Sequence, residues 1–240
     1  RHGELLDENG MLYTAPLRSA AATDCYISGG VNKNGQLWTP AFTYHGFRYA
    51  EVTGLNAVPD SEFITALALY NAVDNSSTFH CGNSMVNALH ESIVATERAN
   101  LHNLPTDCPQ RDERMFWLND ATVRFEELPF NETGRLFPKI VHDIMDAQDE
   151  VGAIPCTVPF IYGAQPTDPV CSSFLIAAKQ AYLHHGDTTL LREAYPALCA
   201  WNDRIYQMSN DGIVSNTLYG DWASPEDCCM EIAPFSAVTH

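Results

Sequence analysis

The chain has 240 residues, with 13 basic and 30 acidic side chains, a formal net charge of −17 and a hydrophobic content of 45%. A chain this apolar buries enough surface to fold, which excludes disorder for its bulk, and its length suits one large domain or two modest ones. The acidic balance disfavours nucleic acid and anionic membrane surfaces as partners, and no apolar run of roughly 18 residues is present to cross a membrane as a helix. No basic start followed by an apolar core marks a signal peptide, although a chain opening on Arg1 rather than Met leaves an upstream stretch open. Eight cysteines (25, 81, 108, 156, 171, 199, 228 and 229) show no C-x-x-C or zinc-finger spacing. A domain of this size needs no disulfides, so a reducing, cytoplasmic setting is expected, with no cofactor and no metal.

Residues 1 to about 60 read as β structure. Turn signals recur at Glu8-Asn9-Gly10, Gly29-Gly30, Asn34-Gly35 and His45-Gly46, and Phe47–Val52 has the aromatic and β-branched content of a half-buried strand. Short strands between regular turns suggest part of a β-sandwich. From about residue 76 the period becomes helical. Met85, Val86, Leu89, Ile93 and Val94 form one stripe of a helix over 84–100. A shorter helix is expected from Asp120 to Leu128, closed by Pro129. A third, over 134–149, carries Leu136, Phe137, Ile140, Val141, Ile144 and Met145 on one face. A fourth spans 170–185, with Gly186 as its C-terminal cap, and Asp187 N-caps a fifth that carries Leu190, Leu191, Leu198, Trp201 and Ile205.

The connections after the first, third and fifth helices (101–119, 150–169 and 209 onward) are long, and the others are short. In an antiparallel succession of helices every second connection falls at the same end, so the three long loops should gather on one working face. The first of them holds the densest polar cluster, Asp107-Cys108-Pro109-Gln110-Arg111-Asp112-Glu113-Arg114, and continues through Trp117 to Asp120. Crowded carboxylates require cationic partners, which Arg111 and Arg114 can supply. The third carries Tyr219-Gly220-Asp221-Trp222, again a carboxylate beside an indole. Carboxylates that fork onto vicinal hydroxyls and indoles that stack on pyranose C–H faces are the furniture of sugar sites. A solvated charged loop remains the competing reading of the same residues. Other chemistries find little: no phosphate-binding Gly loop, no G-x-S-x-G elbow, and no spacing that makes Ser172-Ser173 a nucleophile or His184-His185 with Cys228-Cys229 a metal set.

The string Asn100-Leu101-His102-Asn103-Leu104-Pro105-Thr106-Asp107-Cys108-Pro109-Gln110-Arg111-Asp112-Glu113-Arg114, continued by Trp117 and Asp120-Ala121, resembles the signature of bacterial α-L-rhamnosidases, glycoside hydrolase family 78. Thr43–Gly54 resembles the end of that family's β-sandwich, and Tyr219–Trp222 a later active-site loop. The resemblance implies a β-sandwich segment over 1–72, followed over 73–240 by the first part of an incomplete (α/α)6 six-hairpin barrel. It also implies inverting hydrolysis of terminal, non-reducing α-L-rhamnose from a rhamnose-containing glycoside. The family's general acid falls on Glu113. Asp107, Arg111 and Asp120 match positions that meet the rhamnose hydroxyls, Trp117 and Trp222 match apolar walls, and Asp221 is a further substrate-binding residue of the later loop. Crowding by carboxylates is expected to keep a proton on the acid near neutral pH.

Three departures bear on the site. Phe116 stands where many relatives have Gly, and Cys171-Ser172-Ser173-Phe174 replaces a Trp-Gly-Asp-Ala string, which would alter the sugar subsite. The family's general base is expected beyond His240, since neither Glu226 nor Glu231 matches its motif; this chain alone would then be inactive. A barrel so truncated is expected to leave Leu198, Trp201 and Ile205 exposed. The alternatives are a rhamnose-binding or scaffold protein that keeps only the acid half of the site, or another (α/α)6 carbohydrate enzyme. Oligomeric state and aglycone are not legible.

Overall fold

A computed structural model describes residues 1–30, 35–75, 77–126, 133–169, 171–215 and 218–219. The chain divides into two compact units, one formed by Arg1–Asn71 with Ile93–Arg114, the other by Ala72–Ser92 with Met115–His240. No helix among the described residues is long and apolar enough to cross a membrane.

The first unit carries short antiparallel pairs. β1 (His2–Gly3) pairs with β4 (Tyr49–Ala50), and β2 (Leu5–Leu6) with β3 (Leu12–Tyr13). The β2–β3 turn is held by Asp7, whose Oδ1 accepts from Asn9 N at 2.9 Å and Met11 N at 2.8 Å. β5 (Leu101–His102) pairs with β6 (Leu104–Pro105) across Asn103. Strand content over residues 1–60 is smaller than the sequence suggests. Of the expected strand 47–52 only Tyr49–Ala50 pairs, and its side chains are exposed rather than half-buried. The aromatic and β-branched pattern marks segments able to pair, while the frequent Gly, Pro and Asn cut each ladder to two residues. Asn34 of the expected Asn-Gly turn lies outside the described residues.

The helices are α1 (Ser84–Ala99), α2 (Leu118–Arg124), α3 (Leu136–Ala147), α4 (Ser173–His185) and α5 (Thr188–Met208). The boundary between the units falls within α1. In the second unit α3 packs on α4 and α5, and α4 packs on α2 and α5. Phe137, Ile140, Val141 and Ile144 of α3 are fully buried, as are Phe174, Ala177 and Ala181 of α4. Phe125 meets Phe137 edge-on at 5.8 Å between centroids. Leu128 and Pro129, where the second helix was expected to close, lie outside the described residues.

The α4–α5 hairpin follows the caps legible in the sequence. Gly186 adopts φ +66°, the left-handed region that glycine enters without steric cost, and donates back to Tyr182 O at 2.9 Å. Asp187 then accepts from Leu190 N at 2.9 Å, satisfying an orphan donor of α5. Replacing Asp187 by Ala is expected to cost about 1 kcal/mol, read as a lower urea midpoint at unchanged slope.

Two expectations about apolar surface need correction. Trp201 is not exposed: it is fully buried, on the same face of α5 as buried Leu190 and Ala194, and Leu198 and Ile205 are half-buried. Exposed apolar side chains occur on α1 instead, Met85 at 78% and Leu89 at 59%, and also at Val123 of α2 and Leu183 of α4. A heptad-like stripe shows that a helix has an apolar face, and says nothing about which neighbour covers it.

Candidate functional site

The signature loop is seated within the first unit. A Cβ placed on Gly46 would stand 2.9 Å from Pro109 Cγ and 3.1 Å from Gln110 N, so only glycine lets the loop lie this close. Asp112 leaves the carboxylate cluster: its side chain accepts from Ser19 N at 3.2 Å and from Ser19 Oγ, and that hydroxyl bond holds it below the usual carboxylate range. Arg114 also turns away. It donates to Tyr44 O and Arg111 O, both at 3.2 Å, and lies over the Tyr44 ring. Its backbone sits at φ +50°, uncommon for a non-glycine residue, and its N–H donates to Cys108 O at 3.2 Å. This tight return folds Glu113 back over Cys108.

Asp107, Arg111 and Glu113 come together. The Arg111 guanidinium pairs directly with Glu113 Oε2 and lies 3.9 Å from Asp107 Oδ2. The neighbour in direct contact with Glu113 is thus a guanidinium, with an Asp107 oxygen within 4.8 Å. Cys108, which composition alone does not single out, sits between them: its Sγ accepts from Arg111 Nε at 2.9 Å and stands 3.4 Å from Glu113 Oε2. Burial pushes this thiol upward.

In the second unit the end of the first long connection, from Phe116 onward, meets the other two. Leu118 N donates to Cys156 O at 2.9 Å and Val158 N to Phe116 O at 3.1 Å, tying the start of α2 to the 150–169 loop. Trp117 lies edge-on to Tyr162 and Tyr219, with centroids 6.0 and 5.6 Å apart. Asp168 accepts from Tyr219 N at 2.8 Å and from Leu218 N, tying the segment after α5 to the same loop. Beside this aromatic group an open cavity of about 530 Å³ is lined by Phe160, Ile161, Tyr162 and Tyr219 among others. Asp120 lies exposed in the first turn of α2, where the helix dipole favours a carboxylate. Asp221, Trp222, Glu226 and Glu231 lie outside the described residues. Tyr162 gave no signal in the sequence beyond its place in a Gly- and Pro-rich loop.

The two departures of sequence are core features here. Phe116 is buried and faces Phe125 at 6.3 Å. Cys171 is fully buried beside Ser173 Oγ at 3.4 Å, and burial pushes its thiol up to about 12. All the described cysteines (25, 81, 108, 156, 171 and 199) are free thiols.

Two groups bring metal-type donor atoms within 4.8 Å of one another: Asp107 with Cys108 and Glu113, and His2 with Asp24 and His45. In the first, Arg111 already supplies the positive charge. In the second, the imidazoles stack 4.2 Å apart at 11°, so their in-plane lone pairs run side by side rather than converging. His2 Nδ1 faces Ala22 O at 3.2 Å, and a carbonyl can only accept, so that nitrogen carries its proton. His45 Nε2 lies 3.1 Å from both Asp24 oxygens. The trio suits a hydrogen-bonded strut better than a ligand sphere.

Residues 1–70 match the family model of the bacterial alpha-L-rhamnosidase concanavalin-like domain, and residues 74–239 that of the bacterial alpha-L-rhamnosidase 6 hairpin glycosidase domain. An alpha-L-rhamnosidase of Streptomyces avermitilis is 35% identical over 233 residues, which cover 95% of this chain and 22% of the relative. The solved alpha-L-rhamnosidase of Dictyoglumus thermophilum superposes with a TM-score of 0.88 at 38% identity, covering 94% of this chain and 26% of that one. The Streptomyces avermitilis enzyme complexed with L-rhamnose gives 0.87 at 32%, covering 98% and 22%. The chain thus spans about a quarter of the length of these relatives. With a sandwich-type segment, a run of six-hairpin helices and the signature loop all matched, the chain belongs to the bacterial α-L-rhamnosidase family.

Proposed function

We propose that this chain supplies the general-acid half of an inverting α-L-rhamnosidase that removes terminal, non-reducing α-L-rhamnose from glycosides. Glu113 protonates the leaving oxygen. Asp107, Arg111, Asp120 and Asp221 hold rhamnose hydroxyls, and Trp117 and Trp222 wall the ring and its methyl group. Residues 1–72 belong to the sandwich and 73–240 to the barrel. Inversion requires a second carboxylate that activates water, about 6.5–9.5 Å from the acid.

The observation that carries this reading is the contact of Glu113 with Arg111, beside Asp107, in one glycine-seated loop. The names of the relatives support it, one of them solved with L-rhamnose. Following a fresh reaction of the intact gene product with an aryl α-L-rhamnoside by ¹H NMR is expected to show β-L-rhamnose first. The α anomer appearing first would overturn inversion. Absence of rhamnose release, with calorimetric binding of rhamnose retained, would replace the enzyme reading by a binding one.

A further inference from the structure

Glu113 is anchored at one of its two oxygens. Oε2 meets both the Arg111 guanidinium and the Cys108 thiol, while among the described residues no hydrogen bond reaches Oε1. Building on Glu113 as the acid, we infer that Cys108 is a positioning residue: its S–H, itself oriented by Arg111, fixes Glu113 Oε2 so that Oε1 carries the proton delivered to the leaving oxygen.

The direction of each bond follows from what the groups can donate. Arg111 Nε has a proton and no lone pair to offer, so at 2.9 Å it donates to Sγ. The thiol hydrogen cannot point back at that donor, and the acceptor within reach is Glu113 Oε2 at 3.4 Å. A thiol donates only while protonated, and burial raising its titration range keeps it so at neutral pH. The backbone helps, since Arg114 N donates to Cys108 O and closes the turn that brings the carboxyl over the sulfur. With Oε2 fixed from two directions the carboxyl plane is set, and with it the aim of Oε1. Preset aim matters because proton transfer needs hydrogen-bond reach in the reactive pose.

The test compares Cys108→Ala, Cys108→Ser and Glu113→Gln in the intact gene product, on a rhamnoside with a poor leaving group and on an activated aryl rhamnoside. Cys108→Ala is expected to lower kcat about tenfold on the poor leaving group, with KM within about twofold and little loss on the activated substrate. A donor to the carboxylate favours its ionised form, so removing that donor should move the alkaline limb of the pH–rate profile upward. Cys108→Ser, which restores an X–H donor, should return kcat and limb toward the native values. Should the Ala variant fold poorly, Cys108→Val removes the donor while filling the space. A native kcat and native limb in the donor-less variant would overturn the inference. Equal losses on both substrates with an unmoved limb would also overturn it, reducing Cys108 to packing. Full turnover in Glu113→Gln would instead overturn the acid assignment, separating that failure from one confined to Cys108.

Discussion

Replacing Glu113 by Gln is expected to cut turnover on a rhamnoside with a poor leaving group by about 10²–10⁴-fold, the usual range for lost acid catalysis. The amide keeps the shape of the side chain and still accepts from Arg111 and Cys108, so the loop that seats it should persist. What it cannot do is hand over a proton. An activated aryl rhamnoside leaves as a stable anion and needs little protonation, so its turnover should fall far less. Losses of the same size on both substrates would mean that the side chain binds the sugar rather than protonating it. Stopped assays across a series of aryl leaving groups make the distinction: a steeper dependence of rate on leaving-group acidity in the variant is the expected sign.

The second large effect concerns stability. Trp201→Ala is expected to cost about 3–5 kcal/mol, the range for removing a large aromatic from a packed core. Trp201 is fully buried and lies on the face of α5 that also buries Leu190 and Ala194. Deleting it opens a void that rigid neighbours fill poorly, since interiors are packed like crystals. Chemical denaturation should show a lower midpoint at unchanged slope, with the same change at half-buried Leu198 costing less. A loss under about 1 kcal/mol at Trp201 would show that α5 contributes little to holding the second unit together.

The helices and their ends were legible because their signals are local. Gly186 and Asp187 speak for the two residues between α4 and α5, and the structure uses both as the sequence suggests. The buried stripe of α3 follows from spacing alone. What stayed hidden depends on partners distant in sequence. Trp201 was expected to be open because a truncated barrel leaves a flank uncovered, whereas it is fully buried, and the exposed face of α1 was missed because a stripe reveals no neighbour. The β1–β4 pairing joins His2 to Ala50 with no periodicity to announce it. At the candidate site the resemblance supplied residues and roles, while contacts came only from coordinates. Arg114 and Asp112, counted with the cluster by proximity in sequence, point elsewhere, and Cys108 enters it. A thiol's function depends on what lies against its sulfur, which no composition argument supplies.

The Asp168 clamp has a consequence for affinity. Its carboxylate grips two successive backbone N–H groups some 50 residues downstream, placing Tyr219 edge-on to Trp117. A segment without regular secondary structure would ordinarily have to be frozen by whatever binds against it, at about 0.5–1.5 kcal/mol for each immobilised side chain. Here that ordering is completed during folding. A ligand docking on the Trp117–Tyr219 surface meets a wall already in place, so more of its contact energy remains as net binding.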